Sequence, residues 1–106
     1  MKIMEQDVAG ETHTRLRLDQ IRELAVDIPE WQVGESGISR EFVLENFRQA
    51  IQFVDRVADM AEELDHHPDI AISFNKVRLA LSTHAAGGPT LKDFLLAKKI
   101  DFVERK

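Results

Sequence analysis

The chain contains no cysteine. That removes a disulfide framework, a thiolate nucleophile and any cysteine-based metal site. No apolar run approaches membrane-spanning length, and the opening Met1-Lys2-Ile3-Met4-Glu5 lacks the apolar stretch of a signal peptide. No membrane association is expected, and the cytoplasm is the expected compartment. A surplus of positive charge is also missing. The formal net charge is -5 and the pI about 5.3, which argues against electrostatic binding to nucleic acid or an anionic membrane. Repeats, linkers and low-complexity tracts are absent as well. What is present is 106 residues, 43% hydrophobic and 31% charged, the composition of one small globular domain with a single core.

Residues 1–17 are polar, mixed in charge and without clear periodicity, and read as a loose arm that includes His13. The folded domain is expected over 18–106. Leu18, Ile21, Leu24 and Ala25 fall at helical spacing, with Asp19 near the positive end of the helix dipole and Pro29 closing the element. Trp31 and Val33, the turn residues Gly34 to Gly37, then Ile38, Arg40 and Phe42 in alternation predict two strands joined tightly. Asn46 with Gln49 has the spacing of a helix cap. Phe47, Ala50, Ile51, Val54, Val57, Ala58, Ala61 and Leu64 follow at three- and four-residue steps, widened by Phe53 and Met60. That stripe covers about 180° of the helix, against the ~100° needed to lie on one sheet. The surplus predicts a second partner, most economically the same helix of another subunit. After Pro68 the period becomes two, with Ile70, Ile72 and Phe74, then Val77, Leu79 and Leu81. A turn at Asn75-Lys76 would pair Phe74 with Val77, Ile72 with Leu79 and Ile70 with Leu81, and by extension would set His67 opposite His84. Gly87-Gly88-Pro89 is a turn, and Thr90 with Asp93 caps a last helix expected to turn Leu91, Phe94, Leu95 and Phe102 inward. The order α-β-β-α-β-β-α predicts an α+β two-layer sandwich, a four-stranded antiparallel sheet with helices on one face.

The candidate chemistry lies in Glu62-Glu63-Leu64-Asp65-His66-His67-Pro68-Asp69 and in Ser82-Thr83-His84. Glu62 and His66, four residues apart, would share a helix face, so that a carboxylate orients an imidazole. Two imidazoles near neutral pH supply a base and an acid together. The plainer alternative is polar residues at a helix end and on a solvated sheet face. Zinc fits poorly, because there is no His-Glu-x-x-His helix and adjacent histidines diverge on a helix; no metal is expected. Gly87-Gly88 lacks the following Lys-Ser or Lys-Thr of a phosphate loop. Trp31 reads as core or interface before ligand platform, and Asp93 is explained by the helix start alone.

The run Glu62, His66-His67-Pro68, Phe74, His84, Asp93 resembles the signature of the pterin-4a-carbinolamine dehydratase family. The resemblance extends from about Leu18 to Asp101 and takes in Trp31, Arg40-Glu41-Phe42, Asn75-Lys76-Val77 and Gly87-Gly88. It implies a hydro-lyase that removes water from 4a-hydroxytetrahydropterin without metal or organic cofactor, the pterin being the substrate. It further implies that His66, His67 and His84 handle the protons, with Glu62, Trp31, Pro68 and Asp93 binding substrate or shaping the pocket. Homodimers or tetramers through the 47–64 helix and the sheet edge are implied too. Relatives on this fold that act as a transcription-factor dimerisation cofactor or in RuBisCO assembly supply the alternative, a non-catalytic partner. Many family members carry Trp shortly after His-His-Pro, where this chain has Asp69-Ile70, so a difference in pocket shape is expected there.

Overall fold

The computed structural model of the chain describes residues 14–105; His13 and most of the expected arm lie outside the described residues. The elements run α1 (Leu18–Ala25), β1 (Gln32–Gly34), β2 (Gly37–Val43), α2 (Phe47–Leu64), β3 (Asp69–Ser73), β4 (Lys76–Leu81), a 3-10 turn at His84–Ala86, and α3 (Leu91–Glu104). The strands form one antiparallel sheet in the order β1-β2-β4-β3. This is the α+β sandwich that the hydrophobic periods predict. The described end of the arm is tied down: the Leu16 N–H donates to the Pro89 carbonyl at 3.0 Å, and the Leu16 side chain packs on the core.

Alternation decides which face of the sheet is covered. Ile38 and Phe42 of β2 and Val77, Leu79 and Leu81 of β4 are buried, in one cluster with Phe53 and Val57 of α2 and Phe94 and Ile100 of α3. Ser39, Glu41, Arg78 and Ala80 alternate with them and so belong to the other, open face. Asn46 caps α2 as its spacing predicts, its Oδ1 accepting from the Gln49 N–H at 2.8 Å. On α2 the buried residues are Ala50, Phe53, Val57, Met60 and Ala61. Phe47 and Ala58 are exposed, with Ile51 and Val54 half-buried between them, so part of the apolar arc has no cover among the described residues.

Three expectations are corrected. The hairpin pairs Ile72 with Val77 and Ile70 with Leu79, so the turn is Phe74-Asn75 and the register differs by two residues from the one expected. Asn75 is engaged elsewhere, its side-chain amide donating to the Leu44 carbonyl while its own carbonyl accepts from the Leu44 N–H, and Phe74 takes the left-handed conformation with φ 55°. A shift of two keeps every side chain on its face, which is why the alternation survives the error. His67 and His84 are consequently not cross-strand partners. On α3, Leu95 and Phe102 are exposed, and the inward side is Asp93, Phe94, Leu96, Ala97, Ile100 and Asp101. The sheet meets that helix partly through a carboxylate, which shifts the covered arc.

Asp101 is that carboxylate. Its Oδ1 accepts from Trp31 Nε1–H at 2.8 Å and from Arg40 Nη1–H at 2.7 Å. Arg40 lies on the helix-covered face of β2, its guanidinium 4.2 Å from the Phe42 ring centroid. Removing one partner of such a group strands the others away from water. Asp101→Ala is expected to destabilise the domain by about 3–5 kcal/mol, read from the urea unfolding midpoint; a loss under about 1 kcal/mol would assign the fold's cohesion elsewhere.

Candidate active site

The long helix does not carry the paired histidines. It ends at Leu64, where Asp65 adopts the left-handed conformation (φ 51°). The His66 N–H then closes back on the Ala61 carbonyl at 3.0 Å, the six-to-one bond of a Schellman stop. Asp tolerates this backbone better than a bulky residue. Beyond the stop the chain is no longer helical, so the expected Glu62–His66 pair does not form. Glu62 Oε2 instead meets His67 Nε2 at 2.6 Å, on the exposed surface.

His66 turns the other way. Its Nε2 lies 2.5 Å from Asp93 Oδ1, with the Asp93 side chain fully buried and that of His66 11% exposed. An ionised carboxylate only accepts, so pairing with it draws on an Nε2–H of His66 and turns Nδ1 away from Asp93. The second oxygen of Asp93 accepts from the Thr83 hydroxyl and from the Thr90 N–H, both at 2.9 Å. The Thr83 and Thr90 hydroxyls also bond each other at 2.8 Å. Asp93 therefore serves as more than a helix-start carboxylate. It joins the loop after α2, the segment after β4 and the first turn of α3.

Thr83 precedes His84, which begins the 3-10 turn and is exposed. The segment is held at its far end by the bridge Thr83↔Gly88. Gly88 is required there, since a Cβ would stand 2.8 Å from the Glu35 carbonyl oxygen. His84 and Gly87 line an open cleft of about 500 Å³ with Ser36, Ser39, Asp69, Arg78, Ala80 and Ser82, a volume in the range of small-molecule sites. Ser39, Arg78 and Ala80 place this cleft against the open face of the sheet, away from the core.

The sequence-predicted residues divide into groups. His66 and Asp93 are brought into direct contact, as are His67 and Glu62. His84 stands on the cleft as the residue after Thr83, whose hydroxyl donates to Asp93. Pro68 is half-buried between His67 and the first residue of β3, where its missing N–H costs no ladder bond. Trp31 is buried on Asp101 in the core, which gives it a packing role rather than a place on a cleft wall. Ile70 faces Leu79 on the helix-covered side, so the residue that marks the Asp69-Ile70 departure does not shape the cleft; Asp69, beside it, does. Thr83, Asp69 and Arg78 were not singled out on physical grounds in the sequence, and only the strand alternation that faces Arg78 outward hinted at one of them. Among the described residues no group of three or more His, Asp or Glu side chains is placed to hold a metal ion, and no helix is long and apolar enough to cross a membrane.

The architecture is a two-layer α+β sandwich with two imidazole–carboxylate pairs after its long helix and a cleft lined by His84 on the open face of its sheet. The chain belongs to the family described as pterin 4 alpha carbinolamine dehydratase, whose sequence profile matches residues 14–103; the family's dehydratases are hydro-lyases. A relative from Thermomicrobium roseum, provisionally named a pterin-4-alpha-carbinolamine dehydratase, is 49% identical over 79% of this chain and 92% of its own length. One from Chloroflexus aurantiacus with the same provisional name is 52% identical over 82% and 94%. A solved structure from Brucella melitensis, titled a transcriptional coactivator/pterin dehydratase, superposes with a TM-score of 0.80 at 33% identity, covering 85% of this chain and 98% of that one. A pterin dehydratase-like RuBisCO assembly factor of the alpha-carboxysome shares the fold at TM-score 0.56 and 22% identity.

Thr83→Val removes one donor to the buried Asp93 and strands the Thr90 hydroxyl. It is expected to cost about 1–3 kcal/mol of stability, measured by chemical denaturation; an unchanged midpoint would show that Asp93 does not depend on this bond.

Proposed function

We propose that the chain dehydrates 4a-hydroxytetrahydropterin (pterin-4a-carbinolamine) to quinonoid dihydropterin by histidine acid–base catalysis, in the recycling of a tetrahydrobiopterin-type cofactor. No metal or organic cofactor takes part in this reading, and the pterin is the substrate. The observation that carries it is the contact of His66 with the buried carboxylate of Asp93, which also holds Thr83, the residue before His84 on the cleft.

The reaction breaks the C4a–O bond and the N5–H bond. One proton is given to the departing hydroxyl, which leaves as water, and one is taken from N5 as the C4a=N5 double bond forms. Two imidazoles in opposite protonation states suffice for this. His84, exposed on the cleft, protonates the leaving hydroxyl. His66, with its proton held on Nε2 by Asp93, offers Nδ1 to accept the N5 proton. His67, fixed by Glu62, orients the ring, and Pro68 sets the direction of the chain between His67 and the cleft residue Asp69.

The partner in the assembly is a second copy of the chain. Among the described residues, Phe47, Ile51, Val54 and Ala58 line up along α2 with partial or no cover, and β3 is an edge strand with all five residues exposed. An uncovered edge and a surplus apolar stripe both call for closure. A second reading, a non-catalytic interaction module, draws on the Brucella melitensis neighbour, whose title names a coactivator beside the dehydratase.

Stopped-flow dehydration of freshly generated 4a-carbinolamine decides between them. The wild-type chain is expected to accelerate water loss, and His84→Ala to slow it by about 10²–10⁴ with the fold intact by circular dichroism. Wild-type rates in that variant would remove His84 from proton transfer, and no acceleration by the wild type would leave the interaction module. Light scattering at micromolar concentration is expected to give a dimer or tetramer; a stable monomer would refute the assembly.

A further inference from the structure

The cleft has a built floor and a polar rim that the proton-transfer residues do not use. Cross-strand pairing sets Ser39 beside Ala80 and Ala80 beside Asp69, and in the next row Glu41 beside Arg78 and Arg78 beside Ala71. The first row is small in the middle and carries a carboxylate at the β3 end. Gly37 lines the cleft next to it, and a Cβ there would sit 2.6 Å from the Leu81 carbonyl oxygen. The floor is therefore flat because its residues are small. Asp69 and Arg78 stand on its rim and His84 at the end nearer the 3-10 turn. The side chains of Asp69 and Arg78 have no hydrogen-bond or ion-pair partner among the described residues, although Glu41 is the cross-strand neighbour of Arg78. A carboxylate and a guanidinium left without partners at the edge of a flat floor are two recognition groups of opposite kind.

From this we infer that Asp69 and Arg78 read the 2-amino-4-oxopyrimidine edge of the pterin and so set the substrate's orientation. This rests on the dehydratase reading above. The edge presents the 2-amino group and N3–H as two donors side by side, followed by the O4 acceptor. The Asp69 carboxylate takes the two donors through its two oxygens, and the Arg78 guanidinium donates to O4. The bicycle lies on Ser39, Ala80 and Gly37. C4a is bonded to the O4-bearing carbon, so anchoring this edge fixes where the reacting C4a–N5 bond lies over the floor. Asp69 and Arg78 are positioning residues, which hold the ring and exchange no proton with it. The two bonds make a pterin preferable to a lumazine, which has an oxygen in place of the 2-amino group and so turns a donor into an acceptor facing the carboxylate.

The test uses Asp69→Asn, Arg78→Gln and, as a control away from the cleft lining, Glu41→Gln. Dehydration kinetics are paired with calorimetric binding of 6,7-dimethyl-7,8-dihydropterin and of the matching lumazine. The wild type is expected to bind the pterin about tenfold or more tightly than the lumazine. Asp69→Asn is expected to raise KM about tenfold or more, with the larger effect on KM than on kcat, and to erase or invert the preference, because an amide donates to the 2-oxo group. Arg78→Gln is expected to weaken both ligands alike, since both keep O4, and Glu41→Gln to behave as wild type. Normal wild-type turnover with Asp69→Asn unchanged in KM and preference overturns the anchor alone. A wild type that accelerates no dehydration overturns the dehydratase reading and the anchor with it.

Discussion

A carboxylate with no exposure to water must find its hydrogen bonds inside the protein or lose its charge. Asp93 meets that constraint with three partners from three parts of the chain: His66 after α2, Thr83 after β4, and the Thr90 backbone at the start of α3. The arrangement is mutual. Each donor has a fixed place because the acceptor is fixed, and the acceptor is tolerable only because all three donors arrive. The position of His66 and the course of the chain into His84 both follow from it. A carboxylate placed to hold an imidazole proton on one nitrogen also determines which nitrogen is free for chemistry.

The fold was legible in the sequence because its main determinants are local. Period-two and period-3.6 patterns mark strands and helices wherever one face is buried, and Asn46 announced the start of α2. Where the sequence misled, the deciding contact was distant. Nothing near Asn75 indicates that it bonds Leu44, and that bond moves the hairpin turn back to Phe74. Nothing near Asp65 requires a left-handed residue, yet that single conformation sends Glu62 to His67 instead of His66. Leu95 and Phe102 look as apolar as Phe94, but α3 turns Asp101 inward to meet Trp31 and Arg40, and the covered arc rotates with it.

For the candidate site, the residue types could be read from the sequence but the contacts between them could not. The histidines and Asp93 stand out as residue types in the right neighbourhood. Thr83 and Thr90 are unremarkable by type and act only through a shared oxygen. Asp69 was obscured by Ile70, whose difference from the family's usual Trp draws notice although it faces Leu79 on the other side of the sheet.

Likeness to a family signature does not by itself separate residues that hold the fold from residues that face the substrate. Trp31 and Arg40 belong to the same resemblance as His66 and Asp93, and both end on Asp101 beneath the helices. Two buried carboxylates thus divide the signature between them. Asp101 collects the donors that fasten the sheet to α3, and Asp93 collects those that shape the loops around the histidines. Both lie on α3, eight residues apart, and both are buried. One helix therefore fixes the sheet and the histidine-bearing loops in a common frame, and the segment that carries His84 to the open-face cleft is tied to a carboxylate on the covered side.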